Sequence, residues 1–367
     1  MTEREAYVAF NLTGQIGSVK VSALAERAGG VAAAWAAYPS KEARAGGTVD
    51  VDAELRKARR YGASIVTPAD ASYPKALLAV RGHPLALYAM GDLSALSKSA
   101  IAIVGTRRPT AYGLSIAHNL SADLAADGWA IVSGLALGID AEAHMGALDA
   151  GGVTIGVLGS ALDRFYPEEN KILGRRIVDR GGAVISEFPF GRGPDQQTFP
   201  QRNHVVAGLC AGVIAVEAPY KSGTLITAGL AADMGRTVMA VPGRIDSPAS
   251  AGCHALIRQG ARLVCSAKDV ADEMGELLPA AGPERGGAEN PPADGGAGGA
   301  ATLPPPPYSL EESIVMRNID ETPVSMDRLA AKTKFSAAKL NVLCMALRMK
   351  GRLVFLPGNR VAAPRSE

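Results

Sequence analysis

The stretch FPQRNHVVAGLCAGVIAVEAPYKSGTLITAGLAADMGRTVMAVPG, residues 199–243, decides the fold class of this chain. It predicts a helix, a short apolar strand at 213–216, a loop, a second helix and another apolar strand at 237–241. Apolar strands that alternate with helices are typical of a parallel sheet covered on both faces. We therefore expect an α/β fold.

The loops after these two strands predict an anion-binding site. Ser222 is a predicted N-cap, and Gly223 and Thr224 follow it in the first turn of the helix. Free N–H groups at a helix start bind anions, together with the positive end of the helix dipole. Lys221 precedes this turn, and Arg244 follows the next strand at the rim where open α/β sheets bind ligands. An anionic ligand is expected there.

The composition favours a large α/β protein whose anion site is local. The chain has 367 residues, which indicates two or three domains, and 47% of its residues are hydrophobic although only 5% are aromatic. Residues 99–278 carry 15 Lys and Arg against 18 Asp and Glu, a net charge of −3. An anion site in this segment is therefore expected to be a pocket rather than a broad basic surface.

Changes of pattern divide the chain into four segments. Residues 1–98 predict a mostly helical N-terminal module. Residues 99–278 alternate strands and helices, which indicates a Rossmann-like, doubly wound parallel sheet. Residues 279–307 are rich in Pro and Gly and predict a linker. Residues 308–367 predict three helices and a hairpin, the arrangement of a winged helix domain.

The first two strands of this sheet end in residues suited to a phosphate. In GTRRPTAYG (105–113), Gly105 permits a tight turn and Thr106 and Arg107 reach the rim, where the planar guanidinium of Arg107 matches a phosphate. The next strand leads into SGLALGID, in which small residues allow close backbone approach to a ligand. Those small residues are Ser133, Gly134 and Gly138.

Two residues of the following helix have alternative interpretations. Asp140 either caps this helix or contacts the ligand. His144 is expected to pack inside the fold, because no nucleophile motif accompanies it.

Aromatic and polar side chains at later strand ends favour a single-stranded nucleic acid as the ligand. Tyr166 follows the third strand, and Phe199 follows the fourth after a long loop. Arg202 and Asn203 come directly after Phe199. Aromatic planes that alternate with cations provide surfaces for bases and contacts for phosphates.

No enzyme or metal motif accompanies these residues. The patterns H-E-x-x-H, Walker A and G-x-S-x-G do not occur, and no metal-ligand spacing is found. Glu187 and Glu217 end strands, and we interpret their carboxylates as orienting arginines or capping loops. The sequence predicts a protein without enzymatic activity, metal or cofactor. The start MTEREAYVAF is not a signal peptide, and no apolar run is long enough for a membrane helix, so a cytoplasmic location is expected.

Seven ordered motifs together resemble the DNA-processing protein A (DprA/Smf) family. They are GTRRPTAYG (105–113), VSGLALGIDAEAHMGAL (132–148), TIGVLGSALDRFYP (154–167), ISEFP (185–189), FPQRNHVVAGL (199–209), VEAPYKSGTLITAGLAADMGR (216–236) and VPG (241–243). The resemblance implies a homodimeric single-stranded DNA-binding protein that mediates recombination. It would protect incoming strands and load the RecA recombinase onto them during natural transformation.

The chain departs from the usual family pattern at three positions. Leu137, Met145 and His204 stand where the family commonly has a basic residue. The resemblance therefore implies fewer cations near the DNA path than in a typical member.

Two other functions remain possible from the sequence. Similar Rossmann folds hydrolyse nucleoside monophosphates (phosphoribohydrolases) or sense nucleotides, and the hydrolases carry a Gly-Gly-x-Gly-Thr loop closely followed by Glu. Here Thr224 is followed by LITAG, and no acidic residue occurs before Asp233, which argues against hydrolysis. The second alternative is a transcription regulator that uses only the winged helix.

Overall fold

A computed structural model describes residues 1–38 and 49–275, together with parts of the segment from 315 to 362. Those parts are residues 315–316, 318–319, 324–333, 335–336, 339–340, 343–344, 347, 353–356 and 360–362. The chain divides into two compact units, Met1–Gly287 and Ala288–Glu367. The predicted linker at 279–307 lies outside the described residues.

Nine strands within residues 49–275 form one sheet. In chain order they are β1 Ser64–Val66, β2 Leu87–Gly91, β3 Ala100–Val104, β4 Ala130–Ser133, β5 Thr154–Val157, β6 Ala183–Ser186, β7 Gly212–Ala215, β8 Thr237–Ala240 and β9 Arg262–Leu263. The spatial order is β1-β2-β6-β5-β4-β3-β7-β8-β9. Strands β3 to β9 pair in parallel, whereas β2 pairs antiparallel with both β1 and β6. The predicted Rossmann-like parallel sheet is confirmed, and an antiparallel pair extends it.

Helices precede the sheet and connect its strands. They are α1 Glu3–Thr13, α2 Ser18–Ala28, α3 Val31–Ala37, α4 Val51–Tyr61, α5 Lys75–Leu78, α6 Ala111–Ala126, α7 Ile139–Asp149, α8 Lys171–Asp179, α9 Thr198–Leu209, α10 Gly223–Asp233, α11 Ala251–Arg258 and α12 Ala267–Met274. No described helix combines the length and the apolar character that crossing a bilayer requires.

Helices cover both faces of the sheet because successive side chains of a strand point in opposite directions. Ile101 and Ile103 of β3 pack with Leu124 of α6 on one face. Val104 packs with Val206 of α9 on the other face. Burial of an aliphatic side chain of this size stabilises a fold by about 1.5–3 kcal/mol, so the two layers fix the position of β3.

The N-terminal segment combines a small helical layer with two strands of the sheet. Thr2 and Glu5 form a capping box at the start of α1, with N–H to side-chain oxygen distances of 2.8 and 3.2 Å. Phe10 of α1 contacts Trp35 of α3 edge to face, at 4.9 Å between ring centroids. Because β1 and β2 pair with the sheet, residues 1–98 are not helical throughout. The domain boundary at residue 98 stays a prediction.

The strand order places a topological switch point at β3. The chain adds β4, β5 and β6 on one side of β3, and then β7, β8 and β9 on the other side. In an open α/β sheet, the loops at such a point diverge and leave a crevice at the carboxyl ends of the strands. The loops after β3, β4 and β7 therefore surround the place where a ligand is expected.

The second unit contains a small antiparallel sheet and a helix. The described elements are β10 Val324–Ser325, α13 Met326–Thr333, β11 Val354–Leu356 and β12 Arg360–Ala362. Strand β12 pairs antiparallel with both β10 and β11. Leu329, Leu340, Leu347 and Val361 are buried together. The turn of the predicted hairpin lies outside the described residues.

Candidate nucleic-acid interface

Glu217, which follows β7, holds the loop after β3 in place. Its backbone oxygen accepts a hydrogen bond from Thr106 N–H at 2.7 Å. Its carboxylate accepts from the N–H and the hydroxyl of Thr110 at 2.9 and 2.6 Å. Glu217 is 2% exposed. Its carboxylate thus caps a loop, as interpreted from the sequence, and keeps Arg107 at the crevice.

The first turn of α10 opens onto this crevice. Ser222 occupies the N-cap position, as predicted, but its side chain makes no capping hydrogen bond. Its hydroxyl is buried and has no partner. The N–H groups of Gly223 and Thr224 come next, and the first turn of a helix offers them no acceptor within the helix. This turn therefore presents donors and a partial positive charge to a ligand.

The loop after β4 is strained and is held by two buried side chains. Leu135 has a φ of 54°, a left-handed conformation that is unusual for a side chain of this size. Asp140 accepts hydrogen bonds from the N–H groups of Gly134 and Ala136 at 3.1 and 3.4 Å. Asn170 donates to the carbonyl oxygens of Leu135 and Ala136 at 2.9 and 3.0 Å. Asp140 therefore caps this loop, and Asn170 has a supporting role that sequence reasoning missed.

Arg202 of α9 forms the floor of the crevice. It is 6% exposed, and its Nη1 donates to the carbonyl oxygens of Gly134 and Val157, the latter at 2.8 Å. Its Nε donates to Asn203 Oδ1 at 3.1 Å. Burial lowers the pKa of Arg202, and the neighbouring Asp140 carboxylate opposes that shift. Arg202 thus braces the loops and brings a buried positive charge close to the ligand space.

Behind this floor lies the buried imidazole of His144. Its Nδ1 is 2.6 Å from the Thr154 hydroxyl, which itself donates to the backbone oxygen of Ile131. Burial, with the Arg202 charge, lowers the pKa of His144 to about 3. The ring is therefore neutral at physiological pH and packs inside the fold, as expected.

Aromatic rings line one side of the crevice. The guanidinium carbon of Arg107 is 5.1 Å from the ring centroid of Phe199. The rings of Phe199 and Tyr166 follow at 6.0 Å between centroids. Tyr166 is 44% exposed and Leu137 beside it is 40% exposed. This edge offers both apolar area and a cation to a flat ligand.

These groups surround a cavity of about 260 Å³, which we call the rim pocket. Ten of the residues predicted from the sequence line it. They are Gly105, Thr106, Arg107, Gly134, Phe199, Arg202, Asn203, Ser222, Gly223 and Thr224. Tyr166 lines an adjoining cavity of about 30 Å³ that shares Arg107 and Phe199 with the rim pocket.

Four other predicted residues line neither the rim pocket nor the adjoining cavity. Ser133 is fully buried, and its hydroxyl donates to the backbone oxygen of Ile103 at 2.6 Å. Gly138 has a φ of 82° and packs against the loop after β3. Lys221 is exposed, with a φ of 64°. The guanidinium of Arg244 forms hydrogen bonds of 2.9 and 2.7 Å with Asp246, which offsets its charge.

The three departures from the family pattern lie in different places. Leu137 is beside the aromatic edge. Met145 packs against the core that contains Leu148. His204 faces the turn at Gly82, and its imidazole is 3.8 Å from the position that a Cβ would take at Gly82. None of the three residues lines the rim pocket, and the lack of a cation affects the adjoining cavity only at Leu137.

Two family models match the chain. The model for DNA recombination-mediator protein A matches residues 64–275, and the model for the DprA winged helix domain matches residues 299–359. These matches confirm the resemblance stated from the seven motifs, and they confirm the predicted winged helix.

Curated relatives carry the names Smf and DprA. Protein Smf of Escherichia coli is 42% identical over 208 residues, which is 56% of this chain and 56% of that protein. DNA processing protein DprA of Bacillus subtilis is 41% identical over 219 residues, 59% of this chain and 73% of that protein. The match thus spans little more than half the length of the E. coli protein.

Two solved structures share the fold. The X-ray structure of DNA processing protein A from Streptococcus pneumoniae aligns with a TM-score of 0.64 at 36% identity, over 74% of this chain and 98% of that chain. DNA processing protein A from Helicobacter pylori aligns with a TM-score of 0.52 at 30% identity, over 57% of this chain and 95% of that chain. The H. pylori structure gives insights into the single-stranded DNA binding mode of that protein.

Proposed function

Since this chain belongs to the DNA recombination-mediator protein A family, we propose that it binds single-stranded DNA in the rim pocket. One observation carries the proposal. Arg107, the uncapped first turn of α10 and the ring of Phe199 converge on a single cavity. A phosphate fits the cation and the helix start, while a base fits the aromatic edge.

The arrangement favours a single strand over a duplex. A flat aromatic face stacks on a base only when that base is not already stacked within a double helix. The rim pocket also lies in a segment whose net charge is −3, so no broad basic surface is available to follow a duplex backbone. We therefore expect single strands to compete with the bound ligand much better than duplexes do.

We further propose that the protein acts as a homodimeric mediator in the cytoplasm. Two linked rim pockets raise the effective concentration of each site along one strand, which offsets the limited charge of a single pocket. The family membership supports a role in protecting incoming strands and loading RecA during natural transformation. We propose binding and not catalysis, because the Glu217 carboxylate is already used to hold the loop after β3.

Arg107 provides the direct test of DNA binding. Arg107→Ala removes a charge-assisted contact of about 1.5–3 kcal/mol, which lowers affinity roughly ten- to a hundred-fold. The slope of log affinity against log salt concentration should become less steep by about 0.7, since one single-strand phosphate contact is lost. Arg107→Lys should restore part of the affinity, because it restores the charge without the planar fork.

The measurement is fluorescence anisotropy of a labelled oligonucleotide at several salt concentrations. Arg180→Ala is the matched control. Arg180 is exposed and lies shortly before β6, at the opposite rim of the sheet. Equal affinity of Arg107→Ala and the parent, with the fold intact by circular dichroism, would refute the phosphate assignment.

Oligomerisation and RecA loading have separate tests. Light scattering at micromolar concentration should give twice the monomer mass, and a strict monomer with unchanged DNA affinity would contradict the dimer. RecA should assemble faster on single strands coated with single-strand-binding protein when the parent protein is added. Arg107→Ala should remove that acceleration.

A further inference from the structure

A second and larger cavity lies beside the rim pocket in the same compact unit. Its volume is about 1190 Å³, and we call it the side groove. It is bounded by the loop between α1 and α2, the turn at residues 82–85, the segment after β6 and the start of α9. No residue that lines the rim pocket lines the side groove.

Two polar side chains of the side groove have buried oxygen atoms without a hydrogen-bond partner. Ser18 is the first residue of α2 and is 3% exposed, and its hydroxyl has no partner. Oε1 of Glu187 is likewise buried and unpartnered. Leaving a buried polar group without a hydrogen-bond partner is unfavourable, so two of them in one cavity point to a ligand that supplies the missing partners.

The start of α2 is also open to an anion. Its N-cap is Gly17, which has no side chain to accept from the first N–H groups. Lys20 lies in the same first turn and lines the side groove. Glu187 is the single carboxylate among the lining residues, which also include His83, His204 and Arg192, whose guanidinium is paired with Asp195. The charge balance thus allows a polyanion to enter.

Helix α9 lies between the two cavities and contributes residues to both. Phe199 and Arg202 line the rim pocket, whereas Pro200, Gln201 and His204 line the side groove. Neighbouring residues of a helix are about 100° apart around the axis and about 1.5 Å apart along it. A strand that passes Phe199 can therefore continue around α9 toward the side groove.

We propose that the side groove binds the nucleotides that follow the one held in the rim pocket, with a phosphate at the start of α2 and an amino-bearing base at Glu187. A helix start with a nearby lysine suits the phosphate. A carboxylate accepts a hydrogen bond from the exocyclic amine of cytosine, which thymine lacks. The inference rests on the proposed single-strand function and extends its site onto the N-terminal helices.

The test compares two ligand lengths by fluorescence anisotropy. A single labelled nucleotide occupies the rim pocket alone, and an oligonucleotide of about sixteen nucleotides also reaches the side groove. Lys20→Ala should leave the short ligand unchanged and weaken the long one about five- to ten-fold, with a salt slope smaller by about 0.7. Lys75→Ala is the matched control, since Lys75 is exposed on α5 and does not line the side groove.

Base preference gives the second readout. The parent should bind long oligo-dC better than long oligo-dT, and Glu187→Gln should reduce that difference while circular dichroism stays unchanged. Equal effects of Lys20→Ala on both lengths, or no effect on either, would overturn the side groove assignment. Failure of the parent to bind any single strand would instead overturn the proposed function and this inference together.

Discussion

Arg107 lies over the ring of Phe199, with its guanidinium carbon 5.1 Å from the ring centroid. The contact connects the loop after β3 to the first turn of α9. It also means that the cation and the aromatic ring meet a ligand as one unit. In the proposed complex, a base stacked on Phe199 would lie next to the guanidinium that binds its phosphate, so both contacts would depend on the same arrangement.

Phe199→Ala should weaken single-strand binding without changing its salt dependence. Loss of one base-stacking surface costs about 1–3 kcal/mol, or roughly five- to more than a hundred-fold in affinity. Phe199→Tyr should bind like the parent because it keeps the ring. Anisotropy titrations at several salt concentrations separate this effect from that of Arg107→Ala, and a changed slope for Phe199→Ala would contradict the stacking role.

Combining Arg107→Ala with Phe199→Ala should cost less than the sum of the single changes. Residues in direct contact usually couple by about 0.5–3 kcal/mol. Each single substitution already removes the contact between the two side chains while the remaining one keeps its charge or its ring, so the second substitution has less left to remove. A double-mutant cycle of binding free energies measures the coupling. Strict additivity would show that the two side chains act independently on the DNA.

Gly134→Ala should lower both stability and DNA affinity. A Cβ at this position would clash with the guanidinium of Arg202 and lie 2.8 Å from Asp140 Oδ2. Overpacking of this kind typically costs about 1–3 kcal/mol.

Gly229→Ala in α10 is the opposite control. A Cβ there meets nothing within 4 Å, so a gain of about 0.5–1 kcal/mol from helix propensity is expected. Urea unfolding followed by tryptophan fluorescence reports the first unit, which holds both Trp35 and Trp129. If both alanine variants were less stable than the parent, crowding around Gly134 would not be the cause of the lower stability of Gly134→Ala.

Glu217→Gln should loosen the loop after β3 and weaken DNA binding. The amide keeps the shape of the side chain but not the charge that accepts two hydrogen bonds from Thr110. Hydrogen bonds to a charged group contribute about 1.5–3 kcal/mol, and part of this should be lost from the free energy of unfolding. Glu168→Gln, at a side chain that is 83% exposed, should change nothing.

The same pair of variants tests the alternative of nucleotide hydrolysis. Neither the parent nor either variant should release base from nucleoside monophosphates. Steady release by the parent that disappears in Glu217→Gln would favour a phosphoribohydrolase and refute the assignment of Glu217 as a loop cap.

The stability of the first unit should depend on pH through Glu187. Burial raises the pKa of this carboxyl from its usual 4.5 to about 7. Between these values the folded state keeps a proton that the unfolded chain has lost. The contribution of Glu187 to the free energy of unfolding therefore falls as pH rises. Below about pH 4.5 both states are protonated and the contribution is fully present.

Glu187→Gln should therefore be more stable than the parent at pH 8, by about 1–3 kcal/mol after discounting for partial exposure. The gain should shrink toward pH 4.5. Other groups at the side groove, including Lys20, His83, Arg192 and His204, are common to both proteins, so the difference isolates Glu187. Unfolding free energies at several pH values provide the measurement. Parallel pH profiles for the two proteins would show that this carboxyl titrates normally.

The rim residues were predictable because position along the chain determines them. Arg107 and Ser222 lie in the loops that follow β3 and β7, and the carboxyl ends of parallel strands meet at one edge. Which side chains face inward was not predictable. Arg202 is turned into the floor by the carbonyl oxygens of Gly134 and Val157, which are distant in the sequence. Arg244 is held by Asp246 two residues later.

The pairing of β1 and the strained backbone at Leu135 could not be predicted from the sequence either. Strand β1 has only three residues, too few for a periodic pattern, and its place depends on β2 and β6. Leu135 takes a conformation typical of glycine because Asp140 and Asn170 hold the loop around it. Only the assembled fold brings these residues together.

The pairing of β2 with β6 also constrains how the protein is made. Tyr88 lies opposite Ser186, and Ile101 lies opposite Gly212. The two strands of each of these pairs therefore leave the ribosome at widely separated times. During synthesis the early strands have unpaired edges until their partners emerge, and unpaired strand edges are prone to misassembly. Contacts between distant residues also slow folding. The nine-stranded sheet is therefore expected to be completed late, after β9 has emerged, and the chain is expected to benefit from chaperones until then.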